Sequence, residues 1–253
     1  MTAHHGGWHM ARPRTLVDQA VDAIIAGASR GLILPGDRIV EAEVAQALGI
    51  SRVPVREALR VLESQGVVTS ERYKGIRLMQ VTRERLEEVL EARVALETMA
   101  ARRAIGAGRN TPAATAGLEQ ALAELTLMAA RNDTYGFATA DTAFHRELCR
   151  IGGSDVVRTL WESLARQLTI IFGLSTFGKP MPAIVEEHRR LIDVLLTGGV
   201  RAMEREIEEH ILTYARAVDY DRIIAERRGE LSQETSAKRV VTAQTKRERH
   251  GQS

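Results

Sequence analysis

Three histidines and one aspartate in the second half of the chain have side chains that can bind a transition-metal ion. Asp141 and His145 are four residues apart in a predicted helix, so they project from the same face about one turn apart. His188 and His210 fall within two later predicted helices. A mixed set of imidazole nitrogens and a carboxylate suits zinc, nickel, iron or manganese. The long separations leave two interpretations open: one metal site between three helices, or three unrelated helix histidines.

A second group of residues, between Ser51 and Gly66, could contact nucleic acid. Arg52, Arg56 and Arg60 share one arc of a predicted helix, about a quarter-turn from its apolar stripe. That stripe has the spacing i, i+3, i+4, i+7 of a buried helix face and consists of Val55, Ala58, Leu59 and Leu62. Ser51 stands at the expected N-cap, and Gly66 is expected to stop the helix. Taken alone, the pattern also fits a surface helix with solvated arginines.

The residues around this helix favour DNA binding. Glu41–Leu48 is predicted as a short helix that meets the arginine helix across the Gly49-Ile50 turn. Downstream, residues 67–72 and 76–79 are predicted as two strands of a β-hairpin with Lys74 at its tip. This order of elements is typical of a winged helix-turn-helix.

Composition sets limits on the remaining chain. Its 253 residues suffice for two domains, and 44% apolar residues can form real cores. No run approaches the roughly 20 apolar residues of a membrane span, and the N-terminus has no apolar signal-peptide core. A single cysteine, Cys149, excludes an intramolecular disulfide and suits a reducing compartment. We therefore expect a cytoplasmic protein without a membrane partner.

The second half is predicted to be helical throughout. Glycine-rich or polar breaks divide it into six helices, near residues 83–107, 112–131, 134–151, 155–175, 182–198 and 201–226. The predicted fold class is mainly α, with a winged helix-turn-helix at 14–81 and an all-α six-helix bundle at 82–226. Residues 1–13 are predicted to be a disordered leader, and residues 227–253 a disordered basic tail.

The N-terminal motifs resemble the DNA-binding signature of GntR-family transcriptional regulators. The matching segments are 35–39 (PGDRI), 48–59 (LGISRVPVREAL) and 62–66 (LESQG). The resemblance implies DNA contacts by Arg52 and Arg56 and a close approach of Gly75 to the minor groove; Ser51, Val53 and Lys74 complete the expected DNA-binding set. Two residues depart from the pattern. Ala42 stands where many relatives have an arginine, and Val40 replaces a small polar N-cap.

The second half resembles the FCD ligand-binding domain of the FadR subfamily, and its six predicted helices make it similar to the VanR-like branch. The matching segments are 141–145 (DTAFH), 187–192 (EHRRLI) and 209–211 (EHI). The resemblance implies that Asp141, His145, His188 and His210 hold one divalent ion at the floor of an effector pocket. Zinc is the expected metal, with nickel or manganese as alternatives.

Two further residues have alternative roles. By the same resemblance Arg93 points into the effector pocket and binds a carboxylate, although an Arg93–Glu97 surface pair is the plain alternative. Cys149, one turn after His145, is either a neighbour of the metal or an inert buried thiol.

The expected function is ligand-responsive transcriptional regulation. The chain would repress from a palindromic DNA operator as a homodimer, and a small carboxylate or sugar-acid effector beside the metal would modulate DNA affinity. A metal sensor, in which the ion is itself the signal, stays open. A metal-dependent hydrolase is disfavoured because the sequence has no HExxH motif and no strongly placed general base. No catalytic residue is therefore expected.

Overall fold

A computed structural model of the chain describes residues 14–213 and 216–233. The predicted leader lies outside these residues, as do 234–253 of the predicted tail. The first part is a winged helix-turn-helix, here called the head. Its elements are α1 (Leu16–Ser29), β1 (Arg38–Ile39), α2 (Glu41–Leu48), α3 (Arg52–Ser64), β2 (Val68–Glu71) and β3 (Gly75–Leu78).

Helix α3 has the face that its sequence predicts. The four residues of the apolar stripe are all buried against the head core, with relative exposures of at most 1%. Ser51 occupies the N-cap position with extended backbone angles, although its side chain makes no capping hydrogen bond. The turn before it depends on Gly49, whose φ of 65° is a left-handed conformation that glycine adopts without steric cost. Val40 likewise caps α2 without a side-chain hydrogen bond.

The wing is a three-stranded antiparallel sheet in the order β1-β3-β2. The hairpin agrees with the prediction, but β1 was not expected. Arg38 and Ile39 pair with Arg77 and Ile76 of β3, a contact between residues almost forty positions apart. Two residues are too few to show an alternating pattern, so only this long-range pairing defines the strand.

The helical body packs beside the head. Its long helices are α4 (Arg83–Gly106), α5 (Pro112–Ala130), α6 (Thr134–Ile151), α7 (Asp155–Ser175) and α8 (Met181–Thr197). The side chains of Thr82, Thr111, Asp133 and Ser154 cap four of them by accepting backbone N–H groups. These helices confirm the predicted class: a mainly α chain with a winged head and an all-α domain.

The last predicted helix, 201–226, is wrong as a single element. The structure has α9 (Val200–Glu208), a π-helical turn (Glu209–Thr213), and a further helix, α10, at residues 220–233. Tyr220 and Ile223 of α10 are buried, so this helix packs on the body. The predicted disordered tail is therefore corrected for 227–233, which are helical. The prediction of six helices assumed that the last helix is unbroken. The similarity to the VanR-like branch was based on that number of helices, and it stays a prediction.

Head and body meet along α1 and α7. The hydroxyl of Ser29 donates to the carbonyl of Thr169 at 3.1 Å, and the amide of Gln167 donates to the carbonyl of Gln65, directly after α3, at 2.7 Å. Arg228 of α10 also forms an ion pair with Asp37 in the head at 2.7 Å. In the described residues, no helix has both the length and the apolar character that crossing a bilayer requires.

Candidate metal and DNA-binding sites

Three histidine side chains from three helical elements converge in the body. His145 comes from α6, His188 from α8 and His210 from the π-helical turn, and all three are buried. The Nε2 of His145 lies 3.1 Å from the Nε2 of His188 and 3.3 Å from that of His210. The structure brings the three rings together, so they are not three unrelated helix histidines.

Hydrogen bonds on the outer side of the cluster define two of the ring tautomers. The Nδ1 of His145 lies 2.8 Å from Oε2 of Glu97, and the Nδ1 of His188 lies 2.8 Å from the carbonyl oxygen of Ile184. A carboxylate and a carbonyl only accept hydrogen bonds, so both Nδ1 atoms carry the proton. When both rings are neutral, their Nε2 atoms turn lone pairs toward each other. A cation or a hydrogen-bond donor removes the repulsion between the lone pairs, and Nη2 of Arg93 already lies at hydrogen-bonding distance from the Nε2 of His145.

Asp141 adds a carboxylate to the same point. Its two oxygens lie 3.5 Å from the Nε2 atoms of His145 and His188 respectively. Its Oδ1 is buried, and no donor among the described residues bonds to it. Burial disfavours its charge, but His188 and His145 lower the pKa of Asp141 below its usual value. A buried carboxylate oxygen without a donor is a group that a divalent cation satisfies.

The donor set fits a divalent metal ion. Nitrogen ligands at about 2.0–2.1 Å from a zinc ion stand roughly 3–3.5 Å from each other, close to the Nε2 separations here. Burial lowers the pKa of His145 to about 4, with a further contribution from Arg93, and it lowers the pKa of His210 well below its usual value. Both rings are thus neutral near pH 7, which metal binding requires. Asp141, His145, His188 and His210 are the residues that would hold the ion.

Arg93 is buried at this cluster, so it is not part of a surface pair. It bonds Glu97 through Nε at 2.6 Å, and its Nη2 lies at hydrogen-bonding distance from the Nε2 of His145. Its guanidinium also stacks over Phe172, 4.8 Å from the ring centroid. Burial raises the pKa of the Cys149 thiol, so this side chain is protonated and inert at neutral pH.

The expected DNA-binding residues lie at two exposed places on the head. Ser51, Arg52 and Val53 are exposed at the start of α3. Arg56, one turn on, is about half exposed and pairs with Glu41 of α2 at 2.9 Å. In the wing, Lys74 is exposed at the tip and Gly75 has a φ of 80°. The exposed start of a second helix and a wing tip are the parts of this motif that reach DNA grooves.

Comparison with known proteins agrees with both halves of this structure. Residues 16–78 match the model of bacterial regulatory proteins of the gntR family, and residues 88–213 match the FCD domain. A probable D-xylose utilization operon transcriptional repressor from Paenarthrobacter nicotinovorans is 30% identical over 200 residues, 79% of this chain and 87% of that protein. The chain belongs to the GntR family.

Two other similar proteins support the assignment. The gluconate operon transcriptional repressor of Bacillus subtilis is 27% identical over 163 residues, 64% of this chain and 65% of that protein. The crystal structure of a GntR transcriptional regulator from Rhodococcus sp. RHA1 has a TM-score of 0.60 and 25% identity, covering 85% of this chain and 96% of that one. The chain is thus a transcriptional regulator and not an enzyme.

A small cavity lies beside the histidines of this GntR-family protein. Its volume is about 50 Å³, and Arg93, Asp141 and His210 line it together with Lys179 and Tyr220. A water molecule takes up about 30 Å³ of liquid, so this space is smaller than a sugar acid. Tyr220, from α10, lines the cavity.

Sequence reasoning missed three residues of this site. The sequence suggested Glu97 only as a surface partner of Arg93. In the structure the indole N–H of Trp161 donates to Oε1 of Glu97 at 3.2 Å. Phe144 packs edge-on against the rings of His145 and His188. The signal in the sequence was the i, i+4 spacing of Arg93 and Glu97. This spacing does not reveal partners on other helices.

Proposed function

We propose that the chain is a repressor that binds a palindromic operator as a homodimer and responds to a small carboxylate or sugar acid bound beside a divalent metal. One observation carries the proposal: three imidazole Nε2 atoms and the carboxylate of Asp141 face one point in the body of a GntR-family chain. The ion would supply a fixed positive charge that attracts a carboxylate.

The groups around the cavity suit an anionic ligand. Arg93 and Lys179 line the cavity with positive charge, and each is paired with a carboxylate, Glu97 and Glu187 respectively. A carboxylate ligand would share or replace these pairs, and the planar fork of Arg93 suits that geometry. Two of the relatives named above carry names that refer to operons for a sugar or a sugar acid, D-xylose utilization and gluconate. These names favour sugar acids as the first ligands to test. Because the cavity is smaller than such a ligand, its binding would require Tyr220 or Arg93 to move.

A dimer follows from the size of the DNA-reading surface. The exposed residues at the start of α3 can read only a few base pairs, too few for operator-level specificity. A two-fold dimer doubles the contact and matches a palindromic site. Repression is proposed because the relatives named for D-xylose utilization and gluconate are both described as repressors.

A metal sensor is the second candidate, and the volume of the cavity favours it. About 50 Å³ beside the histidines accommodates an ion with one or two waters without any movement of the surrounding helices. In this case the ion alone would change the affinity for DNA.

One titration distinguishes the two candidates. The DNA probe is a sequence that the wild-type protein selects from a random library. Its affinity for the protein is measured in three conditions: without metal, with zinc, nickel or manganese, and with metal plus gluconate or a related sugar acid. We expect the sugar acid to change DNA affinity only when metal is present. A response to metal alone would favour the sensor.

Two variants test whether the response to the sugar acid requires Arg93 itself or only the positive charge of the protein as a whole. Arg93→Gln should abolish the response to the sugar acid, whereas Arg131→Gln, which removes an exposed arginine at the end of α5, should preserve it. A wild-type protein that contains no metal by elemental analysis, and gains no thermal stability from any of the three ions, would refute the metal site.

A further inference from the structure

Glu97 is a carboxylate buried at the centre of the helical body. Its relative exposure is 0%, and it lies on α4 one turn after Arg93. A buried charge is costly unless partners satisfy it, so its hydrogen bonds define its role.

The three partners of Glu97 are all hydrogen-bond donors. Its Oε1 accepts from Nε of Arg93 at 2.6 Å and from Nε1 of Trp161 at 3.2 Å, and its Oε2 accepts from Nδ1 of His145 at 2.8 Å. The partners come from α4, α7 and α6. Donors on two sides leave the carboxylate little freedom to rotate. Its Oε2 is therefore held against the ring of His145.

The neighbouring His188 provides an internal comparison. Its Nδ1 donates to the carbonyl of Ile184, a backbone group that no substitution removes. His145 has no such backbone acceptor: its Nδ1 proton is held by the side chain of Glu97. Without an acceptor at Nδ1, a neutral imidazole can move its proton to Nε2, and that nitrogen then cannot bind a metal.

We infer that Glu97 is a positioning residue that holds His145 with its proton on Nδ1 and thereby sets the affinity of the three-histidine site for a divalent metal. The inference rests on the metal site of the proposed function. It adds a residue outside the four ligands and gives the buried acid on α4 a role.

Glu97→Gln is the sharpest test because it keeps the size of the side chain. An amide has one acceptor and one donor, so it cannot accept from Arg93 and Trp161 on one side and from His145 on the other. Glu91→Gln makes the same chemical change at an exposed position of α4 and is the matched control. Glu97→Asp keeps an acceptor-only carboxylate and tests for partial rescue.

Two measurements on the full chain report the effect. Cobalt(II) gives absorption bands that depend on its ligands, and competition with a chelator measures its dissociation constant. Nitrogen-15 shifts of the imidazole rings report which nitrogen carries the proton. For Glu97→Gln we expect metal affinity to fall about 10–100-fold, as is typical for the loss of such an outer-shell partner. His145 should lose its pure Nδ1–H form, while His188 should keep it.

The outcomes separate this inference from the proposed function. Unchanged affinity and an unchanged His145 tautomer in Glu97→Gln, with a wild type that binds cobalt, would overturn the inference and leave the metal site standing. A wild type that binds neither cobalt nor zinc would overturn both. If Glu97→Gln does not fold, Glu97→Asp decides: it should bind metal more weakly than wild type with His145 still protonated on Nδ1, and wild-type affinity would overturn the inference.

Discussion

The junction between head and body can be tested at Gly173, where α7 packs against the backbone of Ser29 at the end of α1. A Cβ atom added at Gly173 would lie 2.5 Å from the carbonyl oxygen and 2.7 Å from the Cα of Ser29. These are backbone atoms, so no change of rotamer can relieve the contact. An alanine at this position fits the conformation of α7 itself, so Gly173→Ala perturbs the helix contact and little else.

The expected loss of stability in Gly173→Ala is the sum of two destabilising effects and one stabilising effect. Overpacking costs about 1–3 kcal/mol, and separating the helices weakens the hydrogen bond from Ser29 to Thr169, worth about 0.5–1.5 kcal/mol. The better helix propensity of alanine returns about 1 kcal/mol. A central loss of about 2 kcal/mol corresponds to roughly 4–8 °C in Tm for a chain of this size. Because α1 belongs to the head, the response of DNA affinity to ligand should also weaken.

The assay is thermal and urea unfolding followed by circular dichroism. Gly229→Ala is the matched control, because a Cβ at this glycine of α10 has no atom within 4 Å. That variant should be as stable as the wild type or up to about 1 kcal/mol more stable. If Gly173→Ala is stabilised to the same degree, then α1 and α7 do not pack at this distance in solution and the reasoning is refuted.

Three further outcomes are expected. Arg52→Ala should lower operator affinity by about 1–3 kcal/mol and relax the preference at one base pair, measured by fluorescence anisotropy; unchanged affinity would mean that α3 is not the recognition helix. His188→Ala should abolish the thermal stabilisation by metal, which for wild type is about 2.7 kcal/mol at a metal concentration 100 times Kd; a persisting shift would place the ion elsewhere. Arg228→Ala removes a half-exposed ion pair with Asp37 and should change the urea unfolding free energy by less than about 1 kcal/mol. A larger loss would show that α10 anchors the head.

Local rules were sufficient for helix α3 and the hairpin of the head, but not for β1. The recognition helix was predicted between Ser51 and Gly66, and the structure has α3 from Arg52 to Ser64 with its apolar stripe buried. Periodicity identifies the buried face, and the cap and glycine positions mark the ends, because each depends on neighbours within a few residues. The same rules located α4 to α8 in the body.

These local rules do not predict contacts between segments that are far apart in the sequence. The pairing of Glu97 with Arg93 was visible as an i, i+4 spacing, and this spacing alone suggested a surface pair. Its burial depends on α6 and α7, which bring His145 and Trp161 to the same carboxylate. No pattern within α4 shows that its acidic residue faces two other helices.

The position of His210 shows the same limit most sharply. A straight helix over 201–226 was predicted, but the hydrogen-bonding pattern changes at Glu209 and His210 lies in a π-helical turn. A π turn is wider than an α turn, so it redirects the side chains that follow, and such turns occur frequently at functional sites. Here the turn brings His210 and Ile211 into the interior, with the Nε2 of His210 at 3.3 Å from that of His145. The ideal helical period therefore could not show that His210 faces the other two rings, because the departure from that period is what places it. Only the family resemblance grouped the three histidines.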